Sequence, residues 1–576
     1  MKKIKILAYT TAFLLLAVTS CKDSFLDEKL QSAYTIGITD PRTIDAQVVG
    51  LHRTFAELWG YSSNQGFIAM FQTGMDICSP GSTQNVEKSC FQYSDFNSSN
   101  AGVGWLWNKC YDFINNANIV IAAAKDSLKS SSAEAKFFRA YAYNMLVTFW
   151  GDVPLISDAL LAPRTDFTRQ KVADIDALID ADLTYAIANL PDQGKEAYEG
   201  RINKDNAMQL AAEVYLRIGM RDNSYYAKAV SMTTQIIKSG HYQLIQARYG
   251  VNKTLAGDYY YDMFRYGSQR RAQGNTESMW TFEMEYNKNV TNGTIDNPQF
   301  RRIWIPQYRN IPGMANSDSL SGRGNGILRL SNYFKYTLWN GLAGDIRNSN
   351  FNIRRKGWYN KPGYTERIGL DASGFRIDTV NRLEQRVQTV TVKTGDPIII
   401  RQADTVINWY TFCTKWGQYD PNDDIGFAVV KDWPIQRFAE TYLLRAEAYF
   451  RLNKPDSAAA DINVLRGRAF KDARTSSGNS NLGAVSSSDI TIDFILDERA
   501  RELIGEENRR MTLMRTGKLA DRVALNQDLT YVAKPTVTPP TRIITGFDPS
   551  KNILWPIPFA DLTLNSGAVL QQNPGY

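Results

Sequence analysis

Hydrophobic residues recur at helical spacing in the first half of segment 433–469. The apolar positions there are Ile435, Phe438, Ala439, Tyr442, Leu443, Ala446, Tyr449 and Phe450. Because intervals of three and four residues place these side chains on one face, the pattern predicts an amphipathic helix with a broad buried stripe.

A second helix is predicted after only two residues, Asn453 and Lys454. Pro455 suits the first turn, where a backbone N–H has no helical partner, and Arg466 and Arg468 suit the negatively polarised end. The short link predicts that the two helices run antiparallel.

The same residue types recur upstream. Residues 445–449 (RAEAY) are similar to 139–143 (RAYAY), and residues 446–452 (AEAYFRL) are similar to 212–218 (AEVYLRI). Small residues beside Tyr let neighbouring helices approach closely, which is typical of stacked tetratricopeptide-like pairs. No strict period of about 34 residues is kept, so we expect an interrupted helical array.

Further helical patterns extend along the chain. They cover 43–59, 105–126, 133–150, 172–190, 203–218, 225–238, 490–507 and 510–516. Asn203 suits a helix N-cap, and Gly240 suits a helix C-terminus.

These patterns divide the chain into parts. Residues 43–241 form a helical part interrupted by a polar and aromatic loop at 60–104, and residues 433–576 form a second helical part with a tail. Between them, 242–432 is rich in Gly, Asn and aromatic residues, and we interpret it as an irregular insertion and candidate ligand region. The predicted fold class is mainly α, with tetratricopeptide-like helix pairs and a large irregular insertion containing a little β.

A short β pair is predicted inside the insertion. Its strands are placed at 387–392 and 397–400, joined by a turn at 394–396.

The first residues indicate export. Lys2, Lys3 and Lys5 precede an apolar run that is too short to span a bilayer, and Cys21 follows it. Residues 1–20 therefore resemble a bacterial lipoprotein signal, with lipidation at Cys21 and a tether over 21–42. The alternative is a plain secretory signal whose first Cys is accidental.

Composition excludes several classes. The 576 residues carry a formal charge of +7, which falls to +4 once the three signal lysines are removed, too little to suggest nucleic acid. Only two His are present, which excludes a His-rich zinc site and leaves little for a Ser-His-Asp triad.

Four groups of residues together resemble the RagB/SusD family of surface lipoproteins from Bacteroidetes. They are 139–154, 437–448, 497–517 and the ending 555–558 with 572–576, and they come in the family's order. The resemblance implies a mainly helical protein that packs against a TonB-dependent, SusC-like outer-membrane transporter. It would act there as a lid that captures a nutrient, usually a glycan or oligosaccharide. It also implies a lipid anchor in the outer membrane, facing the cell surface, and no covalent chemistry, hence no catalytic residue and no cofactor.

Two carboxylate patterns have an ordinary explanation. Glu440 and Glu447 lie roughly 10 Å apart along one helix, slightly beyond the span of about 6.5 to 9.5 Å in inverting glycosidases. Asp420, Asn422 and Asp424 alternate as in a calcium loop, but the Gly and the final Glu of that loop are missing. A looser structural Ca²⁺ site there is weighed against a solvated acidic turn.

The cysteines allow one disulfide hypothesis. Cys78 and Cys90 lie in the aromatic loop, where a surface location would permit a bridge, whereas Cys110 and Cys413 are expected to be buried thiols. The sequence alone does not fix the pairing.

Aromatic residues in loops carry the binding hypothesis. A sugar ring needs flat aromatic platforms for its C–H face and amide, Asp or Arg groups for its hydroxyls. The candidates are Gln84, Asn85, Phe91 and Tyr93 in one loop and Arg301, Trp304, Gln307 and Tyr308 in the insertion. The alternative is that these rings fill the core.

Several functions follow as hypotheses. The first is a non-enzymatic glycan-binding lipoprotein that works with a transporter, and the second is the same architecture binding peptides. A surface glycoside hydrolase and a scaffold for outer-membrane assembly are weaker alternatives.

Overall fold

The structure, a computed structural model, describes residues 40–59, 65–82, 84–124, 127–284, 299–377, 388–419, 431–526 and 544–576. Long helices form the two ends of this region, and short strands occur mainly in the insertion. The predicted mainly α fold with a little β is confirmed.

The N-terminal part is a stack of helices. They are α1 (Pro41–Trp59), α2 (Gln65–Ala69), α3 (Ala101–Ala124), α4 (Lys129–Trp150), α5 (Val172–Asn189), α6 (Lys204–Gly219) and α7 (Ser224–Ser239). From α3 onwards each helix packs against the next one in sequence, as expected for helix pairs joined by short loops.

The local signals for helix ends are confirmed. The Asn203 side chain accepts a hydrogen bond from Asn206 N, and the Asn206 side chain accepts one from Asn203 N. This capping box satisfies two backbone N–H groups at the start of α6. Gly240 follows α7 with a left-handed φ of 75°, which favours glycine.

The C-terminal part continues the same stack. Its helices are α11 (Phe438–Arg451), α12 (Pro455–Ala469), α13 (Lys471–Ser477), α14 (Ile492–Leu503), α15 (Arg509–Arg515), α16 (Leu519–Ala524) and α17 (Phe559–Leu564). Pro455 occupies the first turn of α12, as predicted. Because α11 packs on both α12 and α7, the helical array resumes directly where the insertion interrupted it.

The repeated sequence pattern has a repeated ion pair. Arg139 of α4 donates from Nε and Nη2 to Asp182 of α5, over 2.7 and 2.8 Å. Arg445 of α11 holds Asp461 of α12 through the same two nitrogens, over 2.9 and 2.7 Å. The matched Arg in each of these two helices therefore binds the following helix through a bidentate ion pair.

Where the structure describes it, the insertion contains three short α-helices and most of the strands. The helices are α8 (Tyr259–Asp262), α9 (Phe300–Trp304) and α10 (Asn332–Lys335). The strands among the described residues are β1 (Cys78–Pro80), β2 (Ser278–Phe282), β3 (Leu328–Leu330), β4 (Ile353–Arg354), β5 (Thr365–Leu370), β6 (Arg376–Ile377), β7 (Gln388–Lys393), β8 (Phe412–Cys413) and β9 (Trp433–Arg437). Antiparallel pairs join β1 to β3, β2 to β9 and β4 to β8, and a three-stranded sheet has the order β6-β5-β7.

Two secondary-structure predictions were wrong. Strand β7 pairs with β5, not with 397–400, because a segment distant in sequence supplies a longer edge. The helix predicted from Ile435 begins at Phe438, because residues 433–437 are taken up by pairing with β2.

Buried ion pairs connect the insertion to the helices. The carboxylates of Glu498 and Glu502 on α14, and of Glu506 just after it, are held by cations from both parts. The ion pairs are Arg347 with Glu498 and Glu502, Arg437 with Glu277, Glu502 and Glu506, Arg468 with Glu277 and Glu502, Arg466 and Arg501 with Glu498, and Lys415 with Glu506. Burial opposes ionisation, but these neighbouring charges hold the pKa of Glu498 and Glu502 below the ordinary value.

The predicted disulfide between Cys78 and Cys90 is not formed. Both residues are buried thiols outside any disulfide, and Cys78 packs among the side chains around Leu330 while Cys90 packs among those around Trp107. Two different apolar clusters thus hold the two sulfurs. Cys110 and Cys413 are buried thiols, as predicted.

The export signal and Cys21 lie outside the described residues. Within the described ranges, no helix is both long enough and apolar enough to cross a bilayer.

We expect Glu502→Gln to lower the free energy of unfolding by about 3–5 kcal/mol, because it leaves Arg437 and Arg468 buried without part of their countercharge. The measurement is the urea unfolding midpoint. Glu57→Gln is the matched control, since Glu57 is partly exposed and pairs with Lys109 at the surface. An equal shift for both variants would contradict the importance of the buried network.

A second ion cluster predicts acid sensitivity. Glu134 is buried, which opposes its ionisation, but His52 and Arg201 hold its pKa at about 2, below the ordinary value of about 4.3. The folded state therefore binds this proton less readily than the unfolded chain does. Its stabilisation is complete above about pH 5 and is lost as pH falls towards 2. We expect the stability difference between the native chain and Glu134→Gln to shrink over that window, measured by thermal unfolding. A difference that stays constant would rule out this linkage.

Candidate ligand-binding site

The structure brings the two predicted loops together. Gly81 N donates to Ile327 O at 2.9 Å, next to the β1–β3 pair, and Asn325 N donates to Arg302 O at 2.9 Å. Residues 322–327 thus lie between Gly81 of the first loop (60–104) and α9 of the insertion. Two regions more than 200 residues apart in sequence form one surface.

The aromatic residues predicted as sugar platforms are in the core. The exposed fractions are 1% for Phe91, 2% for Tyr93, 1% for Trp304 and 2% for Tyr308. The Tyr93 hydroxyl donates to Gly74 O at 2.8 Å. These four rings present no face to a ligand, so the platform role predicted for them does not fit this structure.

The polar candidates are placed differently. Gln84 and Asn85 are exposed, and Asn85 has a left-handed φ of 72° ahead of a turn of 3₁₀ helix. Gln307 is half-buried, and its N–H donates to Ile407 O at 2.9 Å. Arg301 is buried beneath the surface and donates from Nη1 to Gln418 O at 3.3 Å. Gln84, Asn85 and Gln307 are therefore at least partly accessible, whereas Arg301 is not.

The segment Gly322–Gly326 shapes this surface, and the sequence reasoning missed it. Its sequence is GRGNG, so glycine alternates with Arg323 and Asn325. A Cβ on Gly324 would lie 2.0 Å from Ile305 O, and one on Gly326 would lie 2.8 Å from Ile407 O. The glycines therefore let the backbone lie flat against its neighbours. The alternation of glycine with polar residues is the signal that could have located this segment.

Asn325 is the centre of a hydrogen-bond network. Its Oδ1 accepts from Arg302 Nη2 at 3.1 Å and from Arg309 Nη1 at 3.5 Å. Its Nδ2 donates to Gln65 Oε1 at 3.1 Å, and Gln65 Nε2 donates to Gln299 Oε1 at 2.7 Å. We name this group the arginine–amide cluster: Gln65, Gln299, Arg302, Arg309, Arg323 and Asn325.

The cluster has a positive electrostatic character. Burial, as the largest cause, and the charges of Arg323, Arg309 and Arg301 together lower the pKa of Arg302 to about 10. Burial and the charge of Arg323 also lower the pKa of Arg309. Like charges are held close together, which costs free energy unless an opposite charge offsets it.

The chemistry of this surface favours binding over catalysis. Guanidinium and amide groups donate and accept hydrogen bonds to hydroxyl or acidic groups, whereas acid–base catalysis needs positioned carboxylates. Glu440 and Glu447, weighed from the sequence as an acid pair, are ion-paired with Arg499 and Arg515. Their positions are explained by packing of the helices.

A metal site is not found in the part of the chain that the structure describes, where no three His, Cys, Asp or Glu side chains are grouped to hold an ion. Asp420, Asn422 and Asp424 lie outside that part.

A separate cavity of about 530 Å³ lies between α3, the loop after α4 and α17. Its walls include the rings of Trp107, Tyr111 and Phe167, and its edges include Asp112 and Asp561. Sequence reasoning missed this cavity because three distant segments build it.

The comparisons with known proteins identify the class. Residues 333–576 match the profile of the SusD family, and residues 24–216 match the profile described as starch-binding associating with outer membrane. The chain belongs to the SusD family.

Individual relatives cover nearly the whole chain. SusD-like protein P25 of Formosa agariphila is 24% identical over 573 residues, 96% of this chain and 95% of the relative. A laminarin-binding SusD-like protein matches with a TM-score of 0.63 and 20% identity over 94% of this chain and all of its own. Surface glycan-binding protein A of Bacteroides thetaiotaomicron, solved with laminarihexaose, matches with a TM-score of 0.64 and 19% identity over 92% and 99% of the two chains. These structural likenesses show that the fold is shared.

We expect Gly324→Ala to displace the arginine–amide cluster, because its Cβ would lie 2.0 Å from Ile305 O and 2.3 Å from Ile305 C. Overpacking of this kind costs about 1–3 kcal/mol of stability, measured by chemical unfolding. Gly104→Ala in α3 is the control, since a Cβ there meets nothing within 4 Å and alanine favours a helix. If both substitutions are neutral, the close packing of 322–326 is not a constraint.

Proposed function

We propose that this protein captures an oligosaccharide at the outside of the outer membrane and passes it to a TonB-dependent, SusC-like transporter. The observation that carries the proposal is family membership, since both ends of the chain match SusD-type profiles and one of these is described as starch-binding. The proposed activity is binding of the oligosaccharide without any chemical change to it.

The arginine–amide cluster is our candidate for the capture site. It lies where the two predicted loops meet, and it offers guanidinium and amide donors beside amide oxygens. A sugar has many hydroxyls that both donate and accept, so such a mixed surface suits it. Gln84 and Asn85 are exposed and Gln307 is half-buried, so these predicted residues are accessible to a ligand.

The proposed lid role combines a lipid anchor at the N-terminus with a packing surface on the helical stack. Lipidation at Cys21 would hold the chain at the membrane through the tether 21–42, and the helical stack would supply the surface that packs on the transporter. The captured ligand would then be enclosed when the lid closes.

The test is a titration of the protein from Lys22 onwards with a panel of oligosaccharides and peptides, followed by calorimetry with analysis of the recovered ligand. We expect saturable binding of an intact oligosaccharide, weakened by Asn325→Ala because three side chains lose their shared partner. Asn310→Ala is the matched control, since Asn310 is exposed and contacts only the neighbouring amide of Asn408 among described side chains.

Other results would redirect the proposal. Cleaved oligosaccharide in the recovered ligand would indicate a hydrolase, and binding of peptides alone would indicate the peptide-binding alternative. The lid role is tested separately by co-purification with the transporter from outer membranes, and failure to co-purify would argue against it.

A further inference from the structure

The separate cavity of about 530 Å³ beside α3 offers aromatic rings to a ligand, which the four predicted platform residues do not. We propose that this cavity is a second binding site and that it takes a short, uncharged oligosaccharide. Its size lies within the range of about 300 to 1,000 Å³ that is usual for ligand pockets. The inference rests on the proposed function, because it assigns a further site to the same class of ligand.

One face of α3 forms the first wall of the cavity. Its lining residues are Trp107, Asn108, Tyr111, Asp112 and Asn115. They recur at intervals of three and four residues, so they share one side of the helix. Tyr111 is half-buried and Asp112 is exposed. This side of α3 therefore presents a flat ring beside a carboxylate, which suits a sugar with an apolar C–H face and donating hydroxyls.

The loop after α4 and the helix α17 form the other walls. The loop contributes Ile156, Leu160 and the half-buried ring of Phe167, and α17 contributes Asp561 and Leu564. The apolar side chains suit the C–H faces of a sugar. The second carboxylate adds another acceptor for hydroxyls, and hydrogen bonds to a charged group are stronger than those to a neutral one.

Hydrogen bonds hold these walls in place. The Tyr111 hydroxyl donates to Pro154 O at 2.9 Å, which joins α3 to the loop after α4. Phe167 N donates to Asn565 Oδ1 at 2.8 Å, and Asn565 Nδ2 donates to Phe167 O at 2.8 Å, which joins that loop to the residue following α17. A cavity whose walls are already fixed binds its ligand with a smaller loss of entropy.

The charges of the cavity favour an uncharged sugar over an acidic one. Arg164 of the lining donates to both carboxylate oxygens of Asp166, at 2.9 and 3.1 Å, so its positive charge is balanced. Burial raises the pKa of Asp561, although a hydrogen bond from Trp107 opposes this effect. The carboxylates of Asp112 and Asp561 would repel the carboxylate or sulfate groups of an acidic glycan, whereas sugar hydroxyls donate to them.

The experiment uses the full-length protein purified from membranes in detergent. The probes are uncharged hexasaccharides of glucose, galactose, mannose and xylose, including laminarihexaose. Calorimetry identifies the probe that binds, and hydrogen–deuterium exchange locates it. We expect the bound hexasaccharide to slow the exchange of backbone amides in 154–167 and 559–570, because these segments carry two walls of the cavity. A galacturonate hexamer at the same concentration should leave these amides unchanged.

The variants assign the binding to particular side chains. Asp112→Ala should weaken binding at this site about tenfold, because a hydrogen bond to a carboxylate is lost. Phe167→Leu should weaken it about fivefold, because the flat ring is removed while an apolar side chain is kept. Asp174→Ala is the matched control, since Asp174 is an exposed residue of α5 outside the lining. Circular dichroism checks that each variant is folded.

The outcomes separate this inference from the proposed function. A hexasaccharide that binds without slowing exchange in 154–167 and 559–570, or that binds Asp112→Ala and Phe167→Leu like the native chain, overturns the second site and leaves glycan capture standing. Slowed exchange there that persists in Asn325→Ala supports the second site. A peptide mixture that slows this exchange where no hexasaccharide does, or binding of no hexasaccharide at all, overturns both proposals.

Discussion

The buried charge network around α14 is the constraint on which the rest of the structure depends. Charges that leave water must be compensated nearly completely, because each unpaired one costs several kcal/mol. Glu498 and Glu502 meet this requirement with cations from the insertion, such as Arg347, and from the helical part, such as Arg437 and Arg468. Very few arrangements of the insertion on the helical part therefore keep every one of these buried charges paired.

The same network explains which residues carry the family resemblance. The segments 437–448 and 497–517 contribute Arg437, Glu498 and Glu502 to it, and none of these side chains lies at the candidate site. Their types are fixed by electrostatic compensation within the scaffold. A family match made on such residues identifies the fold well and says little about the ligand.

Much of the helical fold could be predicted from the sequence, because its signals are local. Three-four periodicity located the long helices, and Asn203, Gly240 and Pro455 marked ends that the structure confirms. The pairing of β7 with β5 could not be predicted in the same way. It joins segments whose partner is decided by long-range packing, and the local turn at Gly395 is compatible with either partner.

The position of the binding site stays a prediction, while the structure does show how the predicted residues are placed. The two loops do meet, but Phe91, Tyr93, Trp304 and Tyr308 are packed inward. Trp304 belongs to the same apolar cluster as Ala500 and Ile504 at the α14 end, so it anchors the site to the scaffold. Aromatic residues in an irregular segment can face either way, since no periodicity shows which side is buried.

In the GRGNG segment, different residues fix the path of the backbone and present side chains to the surface. The glycines fix the path of the backbone, while positions 323 and 325 present their side chains to the site. A substitution at position 323 or 325 therefore changes the side chains at this surface, and for Asn325 their hydrogen bonds, while the glycines keep the path of the backbone. In a surface built in this way, two amino-acid substitutions are enough to alter the chemical groups that it displays, while the backbone that carries them is kept.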